Sequence, residues 1–325
     1  MTFLNPRLSL IACLCALWLS VAANAQTTPT TQTSQAPEMH AVQVMPDVYY
    51  VKGQSALGSA ANQNFISNAG FVVTAEGVVV VDALGSPALA QRLVAEIAKV
   101  TEKPIKVVVL THYHADHIYG LQVFKKLGAH VMAHEAGREY LNSETARLRL
   151  EASRHDLAPW VNADTRLVFA DQWISGPTEF KLGGLTFQVQ PVGPSHTAED
   201  VVVFVPEKKV LFAGDLVFRN RIPFVGQADS RHWIEAMESL LKFDAQVVVP
   251  GHGELSREPK ADMTLTRDYL VYLRDSMGRA AADMLAFEEA YKATDWSRFQ
   301  TMPLFRAANR MNAYNTYLLM EREAK

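Results

Sequence analysis

An apolar, β-branched run, Ile105-Lys106-Val107-Val108-Val109-Leu110, leads directly into Thr111-His112-Tyr113-His114-Ala115-Asp116-His117. Such a run reads as a buried strand, and Gly120 to Leu127 beyond it reads as an amphipathic helix. Three imidazoles and a carboxylate therefore sit on a strand-to-helix loop, which constrains the chain to an α/β architecture with its chemistry at a strand end. In an extended loop alternate side chains share a side, so His112 and His114 face one way. Past a turn at Ala115, Asp116 and His117 face another. One loop can thus supply ligands to two metal ions.

The segments around this loop repeat the theme. Val48–Val51, Gly70–Val73 and Gly77–Val81, the last closing on Asp82, read as hairpin-like strands, and Pro87–Val100 as a helix with Leu89, Leu93, Ile97 and Val100 on one stripe. Phe180–Val189 reads as a hairpin around Gly183-Gly184 whose outgoing strand leads to Gly193-Pro194-Ser195-His196-Thr197. Val201–Val205 and Val210–Ala213 are buried-type strands, the second expected to stop at Gly214-Asp215. Gln246–Pro250 is expected to stop at Gly251-His252-Gly253. A single His or Asp after a strand is weak evidence, because turn chemistry explains most of them. Recurrence at four strand ends is different, since the loops at one set of strand ends in an α/β sheet lie together. The inventory fits two adjoining sites: His112, His114 and His196 around one metal, Asp116, His117 and His252 around the other, and Asp215 bridging. Each site keeps room for water, the open coordination of a catalytic centre.

The order HYHADH, His196-Thr197, Gly214-Asp215 and Gly251-His252-Gly253, with Asp82 closing an early strand, resembles the metallo-β-lactamase superfamily over roughly residues 41 to 260. The resemblance implies a four-layer αβ/βα sandwich with a dinuclear metal site on its edge. It assigns metal-ligand roles to His112, His114, Asp116, His117, His196, Asp215 and His252, and a buried supporting role to Asp82. An aspartate at the bridging position is similar to glyoxalase II and related thioesterases and lactonases. The stretch Gly214 to Phe218 and Arg221 to Val225 resembles exported hydrolases of sulfur-oxidation and quinoprotein gene clusters.

The expectation is an exported hydrolase in which a metal-bridging hydroxide attacks an ester, thioester or lactone carbonyl while Asp116 orients it. A β-lactam is the alternative substrate. Readings of another class are an iron-dependent sulfur oxidoreductase and a non-enzymatic zinc-binding protein. Histidines with carboxylates favour two zinc ions, and accept iron or manganese. The partner is then a small molecule. With 49% hydrophobic and 20% charged residues and a formal net charge of -3, nothing suggests nucleic acid.

Residues 1–25 read as an export signal: Arg7 gives a positive start, Leu8 to Val21 an apolar stretch, and Ala23-Asn24-Ala25 a cleavage site before Gln26. Leu10-Ile11-Ala12-Cys13 faintly resembles a lipobox, but its apolar run continues past Cys13, so ordinary cleavage is preferred. Both cysteines, Cys13 and Cys15, lie in this segment, which excludes disulfides and thiol nucleophiles from the mature protein. The expected address is the periplasm or beyond, with no stable membrane insertion. Residues 26–40, rich in Thr, Gln and Pro, read as a flexible spacer. Residues 41–260 are then the catalytic domain and 261–325 a helical C-terminal extension packed on it, with Leu265, Tyr269, Tyr272 and Leu273 facing the core.

Tyr113, Tyr119, Arg219 and Arg221 either line the substrate cleft or cover the core. His40, His130, His134, His155 and His232 read as packing or surface residues. No phosphate loop, GxGxxG or Gly-x-Ser-x-Gly elbow is present, so nucleotide-dependent and serine-hydrolase chemistry lack support. Specificity is expected from the loops Gly53–Phe65 and Glu139–Trp173.

Overall fold

The computed structural model describes residues 36–323. The expected export signal, 1–25, and residues 26–35 of the expected spacer lie outside the described residues. From Pro37 the chain is already packed, three residues short of the expected end of the spacer. Met39 is buried in the core, and the Pro37 carbonyl accepts from the Arg92 guanidinium.

The first half runs β1 (Val42–Met45), β2 (Val48–Val51), β3 (Ala69–Val73), β4 (Val78–Val81), α1 (Pro87–Val100), β5 (Ile105–Val109), α2 (Ala115–Ile118), α3 (Leu121–Lys126), β6 (His130–His134), α4 (Ala136–Leu141), α5 (Glu144–Asp156) and β7 (Gln172–Ile174). Its strands form one sheet in sequential order, antiparallel from β1 to β4 and parallel from β4 to β7. The second half runs β8 (Thr178–Leu182), β9 (Leu185–Pro191), β10 (Val201–Val205), β11 (Val210–Arg219), α6 (Ser230–Leu240), β12 (Val247–Gly253), α7 (Pro259–Ala282), α8 (Phe287–Ala293) and α9 (Phe305–Glu323). It builds a sheet of order β12-β11-β10-β9-β8, parallel only between β11 and β12.

Continuous valine runs make both faces of these sheets apolar, so both must be covered. On β4, Val79 and Val81 point into the core between the sheets, while Val78 and Val80 point to the core beneath the helices. On β10, Val201, Val203 and Val205 face the opposing sheet and Val202 and Phe204 face the outer helices. The period-2 alternation of a strand thus writes three apolar layers between four layers of backbone, the αβ/βα sandwich. Helix α1 starts where Ser86 accepts the Leu89 N–H at 3.2 Å and Pro87 presets the first turn. Leu89, Leu93 and Ile97 are buried as the stripe requires, and Val100 at the helix end is exposed.

Two strands run further than their sequence suggests. Strand β11 does not stop at Gly214-Asp215 but continues to Arg219, and β12 continues through His252 to Gly253. Gly214 makes this possible: its φ of 50° belongs to the left-handed region, and the β11–β12 register shifts there. The helical C-terminal segment closes the outer layer, with Tyr269 and Leu273 buried and Leu265 and Tyr272 packed against them. Among the described residues, no helix is long and apolar enough to cross a membrane.

Candidate metal centre

The strand ends of both sheets meet at one edge of the sandwich. His112 and His114 follow β5, with His114 at the N-terminus of α2 and Asp116 and His117 within it. His196 lies on the loop after β9, while Asp215 and His252 lie inside β11 and β12. Two groups of side chains result, His112, His114, His196 and Asp215, and Asp116, His117 and His252, each with ligand atoms within 4.8 Å of one another.

Asp215 stands between the groups. Its Oδ2 is 3.8 Å from His112 Nε2, 3.4 Å from His196 Nε2 and 3.2 Å from His252 Nε2, and its Oδ1 is 3.3 Å from His117 Nε2. Asp116 Oδ2 lies 3.2 Å from His252 Nε2 and 3.6 Å from His117 Nε2, and His114 Nδ1 faces His196 Nε2 at 3.0 Å. This placement depends on Gly251, where a Cβ would fall 2.0 Å from Asp215 Oδ1.

Asp82, in a left-handed conformation at φ 65° just past β4, organises the cluster from beneath. Its Oδ2 accepts from His117 Nδ1 at 2.9 Å and from the Thr111 hydroxyl at 2.8 Å, and its Oδ1 accepts the Thr111 N–H at 2.8 Å. Because the Thr111 hydroxyl is committed as a donor, its oxygen accepts from His112 Nδ1 at 3.0 Å. One carboxylate thereby sets the orientation of a ligand in each group and leaves both Nε2 atoms aimed at the centre. His252 is set in the same way by the Ile66 carbonyl, 2.7 Å from its Nδ1. Ser67 Oγ donates to the Asp116 carbonyl at 2.5 Å, and Asn68 Nδ2 to the carbonyls of Pro250 (2.7 Å) and Gly253 (3.0 Å), tying the start of β3 to both ligand segments.

The residues present fit metal ions. His112 Nε2, His117 Nε2 and Asp215 Oδ1 are buried with no hydrogen-bond partner. Buried polar groups are otherwise almost always satisfied, so three such atoms converging on one point suit a positively charged ligand. The titration behaviour agrees. Burial, reinforced by neighbouring His117, drives His112 well below the usual imidazole range, and burial with His196 takes His114 down to about 3. Burial would likewise depress His117 and His252, but Asp215 and the other carboxylates prevail and raise both. For Asp215 burial opposes ionisation, and the imidazoles of His252 and His117 outweigh it, holding the carboxyl well below its ordinary value. These environments favour ionised carboxylates, and a cation would compete with the protons favoured on His117 and His252.

A cavity of about 870 Å³ opens onto this edge. His114, Asp116, His196, Asp215 and His252 form its floor, and Ile66, Arg149, Leu157, Arg221 and Phe224 are among its walls. Of the four side chains offered above as cleft or cover, only Arg221 reaches it. Tyr113 lies between two ligands that share a side, so it points the other way, buried against Trp173. Tyr119 is buried in the same core, its hydroxyl 3.4 Å from Ser153 Oγ. Arg219 pairs with Asp262 at 2.8 Å and donates to the Leu255 carbonyl at 2.6 Å, whereas Arg221, past the left-handed Asn220, turns inward. His40, His130, His134, His155 and His232 belong to neither group.

Gly58 and Asn64 from the segment 53–65 contribute to the cavity, as do Thr145, Arg149, Ser153 and Leu157 from 139–173. Most of the latter sit on helix α5 rather than a loop. Ser67, Asn68 and Arg149 were not legible beforehand, because none lies beside a ligand in sequence.

A family model described as Metallo-beta-lactamase superfamily matches residues 63–252. Among curated proteins, a linear primary-alkylsulfatase from Pseudomonas sp. (strain ATCC 19151) is 26% identical over 242 residues, 63% of this chain and 45% of that protein. The chain therefore spans less than half of that relative's length. A metallo-beta-lactamase type 2 from Elizabethkingia meningoseptica is 28% identical over 206 residues, 62% of this chain and 74% of that protein. Among solved structures, a metallo-beta-lactamase from Pontibacter korlensis aligns with TM-score 0.57 and 26% identity, covering 72% of this chain and 99% of its own. The sec-alkylsulfatase Pisa1 from Pseudomonas sp. aligns with TM-score 0.69 and 18% identity over 86% of this chain and 50% of its own, a likeness of fold.

Proposed function

The chain belongs to the metallo-β-lactamase superfamily, and from that premise we propose that it is an exported, dinuclear zinc hydrolase that opens an ester, thioester or lactone. The observation that carries this reading is the position of Asp215, 3.2 to 3.8 Å from imidazoles of both ligand groups, with orphaned buried atoms around it. His112, His114 and His196 would hold one zinc ion, Asp116, His117 and His252 the other, and Asp215 both. A pair of cations there would supply a water whose pKa falls from about 15.7 towards roughly 7, and a Lewis acid for the scissile carbonyl.

The rest is the work of side chains in place. Asp116 directs Oδ2 at the cluster, so it is the group to orient the attacking water and hold its proton. Asp82 and Ile66 hold the rings that surround it, so little reorganisation accompanies the reaction. Water adds across the acyl bond, giving a carboxylic acid and an alcohol or thiol. No side-chain nucleophile is needed, and the mature chain would contain no cysteine.

The likeness to the Elizabethkingia meningoseptica enzyme supports a second reading, hydrolysis of a β-lactam amide at the same centre. The two separate in one experiment: turnover of the zinc-loaded mature protein on thioesters, lactones, an alkyl sulfate and a chromogenic cephalosporin, with a chelator control. Chelator-sensitive turnover of the acyl esters with slow cephalosporin cleavage supports the first reading, and the reverse supports the second. Silence on every substrate refutes both, and iron content with oxygen consumption would then point to an oxidoreductase.

A further inference from the structure

The helical C-terminal segment supports one wall of the cavity, and Asn312 of α9 is central to that support. Asn312 is fully buried and uses its amide completely: Oδ1 accepts the Val225 N–H at 2.9 Å, and Nδ2 donates to the Pro223 carbonyl at 2.7 Å and to the Tyr269 hydroxyl at 3.0 Å. Tyr269, from α7, in turn donates to Asn309 Oδ1 at 2.8 Å, and the Ile222 N–H donates to the Pro303 carbonyl at 3.0 Å. The segment from Arg221 to Val225 is therefore fastened to α7, α9 and the turn before α9. That segment contributes Arg221, Phe224 and Val225 to the wall of the metal cavity.

Arg221 is the unusual member. It is 1% exposed, its Nε has no hydrogen-bond partner, and among the described residues no carboxylate lies within ion-pair distance. The guanidinium is wedged between the faces of Phe218 and Phe224, 5.6 and 5.4 Å from their centroids. Its Nη1 is 3.2 Å from His252 Nδ1, but that nitrogen's proton is directed to Ile66, so the contact gives the guanidinium no acceptor. A buried arginine is rarely left unpaired. Its planar fork of donors suits a carboxylate or sulfate.

We infer that Asn312 is a positioning residue for substrate recognition: it holds the Arg221–Val225 segment so that Arg221 receives an oxyanion group carried by the substrate. The inference rests on the hydrolase reading and names the class of compound that reading leaves open, an ester or lactone that also carries a carboxylate or sulfate.

The test uses the zinc-loaded mature protein, N312D and Y269F. N312D keeps the acceptor for Val225 and loses the donors; Y269F removes the two hydrogen bonds of that hydroxyl, to Asn312 and to Asn309, and serves if N312D does not fold. Each is assayed for metal content and for kcat and KM on phenyl acetate and on its carboxylated analogue 4-acetoxybenzoate. The parent is expected to show a KM for the carboxylated ester lower by about tenfold or more. The variants are expected to keep their metal and their kcat on phenyl acetate within about twofold, while the KM for 4-acetoxybenzoate rises towards the neutral ester's. R221M should abolish the preference. No preference in the parent, a preference unchanged in a folded variant, or equal losses on both esters would overturn the inference. If neither ester is turned over, the wider acyl panel judges the hydrolase reading. Calorimetric binding of 4-hydroxybenzoate then decides this inference: parent tighter than variant by about tenfold supports it, and equal affinity overturns it.

Discussion

Replacing Asp82 by Asn should release the second metal before the first. The amide keeps the shape of the carboxylate, and its oxygen, placed where Oδ1 lies, still accepts the Thr111 N–H and the Thr111 hydroxyl, now 2.8 and 3.1 Å away. The NH2 group then falls at the Oδ2 position, 2.9 Å from His117 Nδ1. Two N–H groups cannot point at each other, so His117 must move its proton to Nε2, the atom that faces Asp215 and Asp116. A ligand that presents a proton is lost to the metal until it deprotonates. Removing a carboxylate that orients a ligating histidine typically costs 10- to 100-fold in metal affinity, or about 1.4 to 2.7 kcal/mol. That loss should fall on the site of Asp116, His117 and His252, because His112 keeps its own partner in Thr111. Elemental analysis after dialysis, with competition against a chromophoric chelator, reads each affinity in turn. Two zinc ions bound to D82N with the parent's affinities would refute the reasoning.

Further expectations come from the same geometry. Zinc binding should release protons, because neighbouring carboxylates raise His117 and His252 and so favour the protonated rings that a cation competes with; affinity then rises with pH, and heats measured in buffers of different ionisation enthalpy should differ. Gly251→Ala sets a methyl group 2.0 Å from Asp215 Oδ1 and 2.7 Å from the Gly214 carbonyl carbon, so both the carboxylate and the β11 backbone must shift; turnover should fall by about 100-fold or more with the secondary structure retained by circular dichroism. His114→Ala should lower turnover by orders of magnitude while far-ultraviolet dichroism is unchanged, since the ring sits in the cavity floor and not in a core layer. In a bacterial host with its export machinery, mass spectrometry of the secreted or periplasmic protein should find Gln26 at the N-terminus.

The layered fold was readable because valine runs and strand alternation both depend on burial, which sequence patterns record directly. The meeting of His112, His114, Asp116, His117, His196, Asp215 and His252 at one edge was readable for a different reason: each falls where an apolar run gives way to glycine or polar residues, and such points on neighbouring strands lie together, although Asp215 and His252 prove to sit inside longer strands. Reading β11 as ending at Gly214 failed because a glycine marks a possible bend as well as a stop, and only pairing with β12 decides between them. The alternation that sets His112 and His114 on one side also turns Tyr113 to the other, whereas Tyr119 lies past α2, where that alternation no longer applies. Asn68 and Asn312 stayed hidden because their partners lie far along the chain; Asn312 reaches back 87 residues to Val225. Residues that act through long-range hydrogen bonds leave no local periodicity.

The most direct measurement is a titration of the metal-free mature protein with zinc, read as hydrolysis of its best acyl substrate with bound metal counted at each point. Turnover absent at the start, rising to a plateau at about two equivalents and abolished by a chelator, is what a dinuclear hydrolytic centre built on Asp215 requires. Full activity without metal, or two tightly bound zinc ions with no turnover on any acyl substrate, would contradict it.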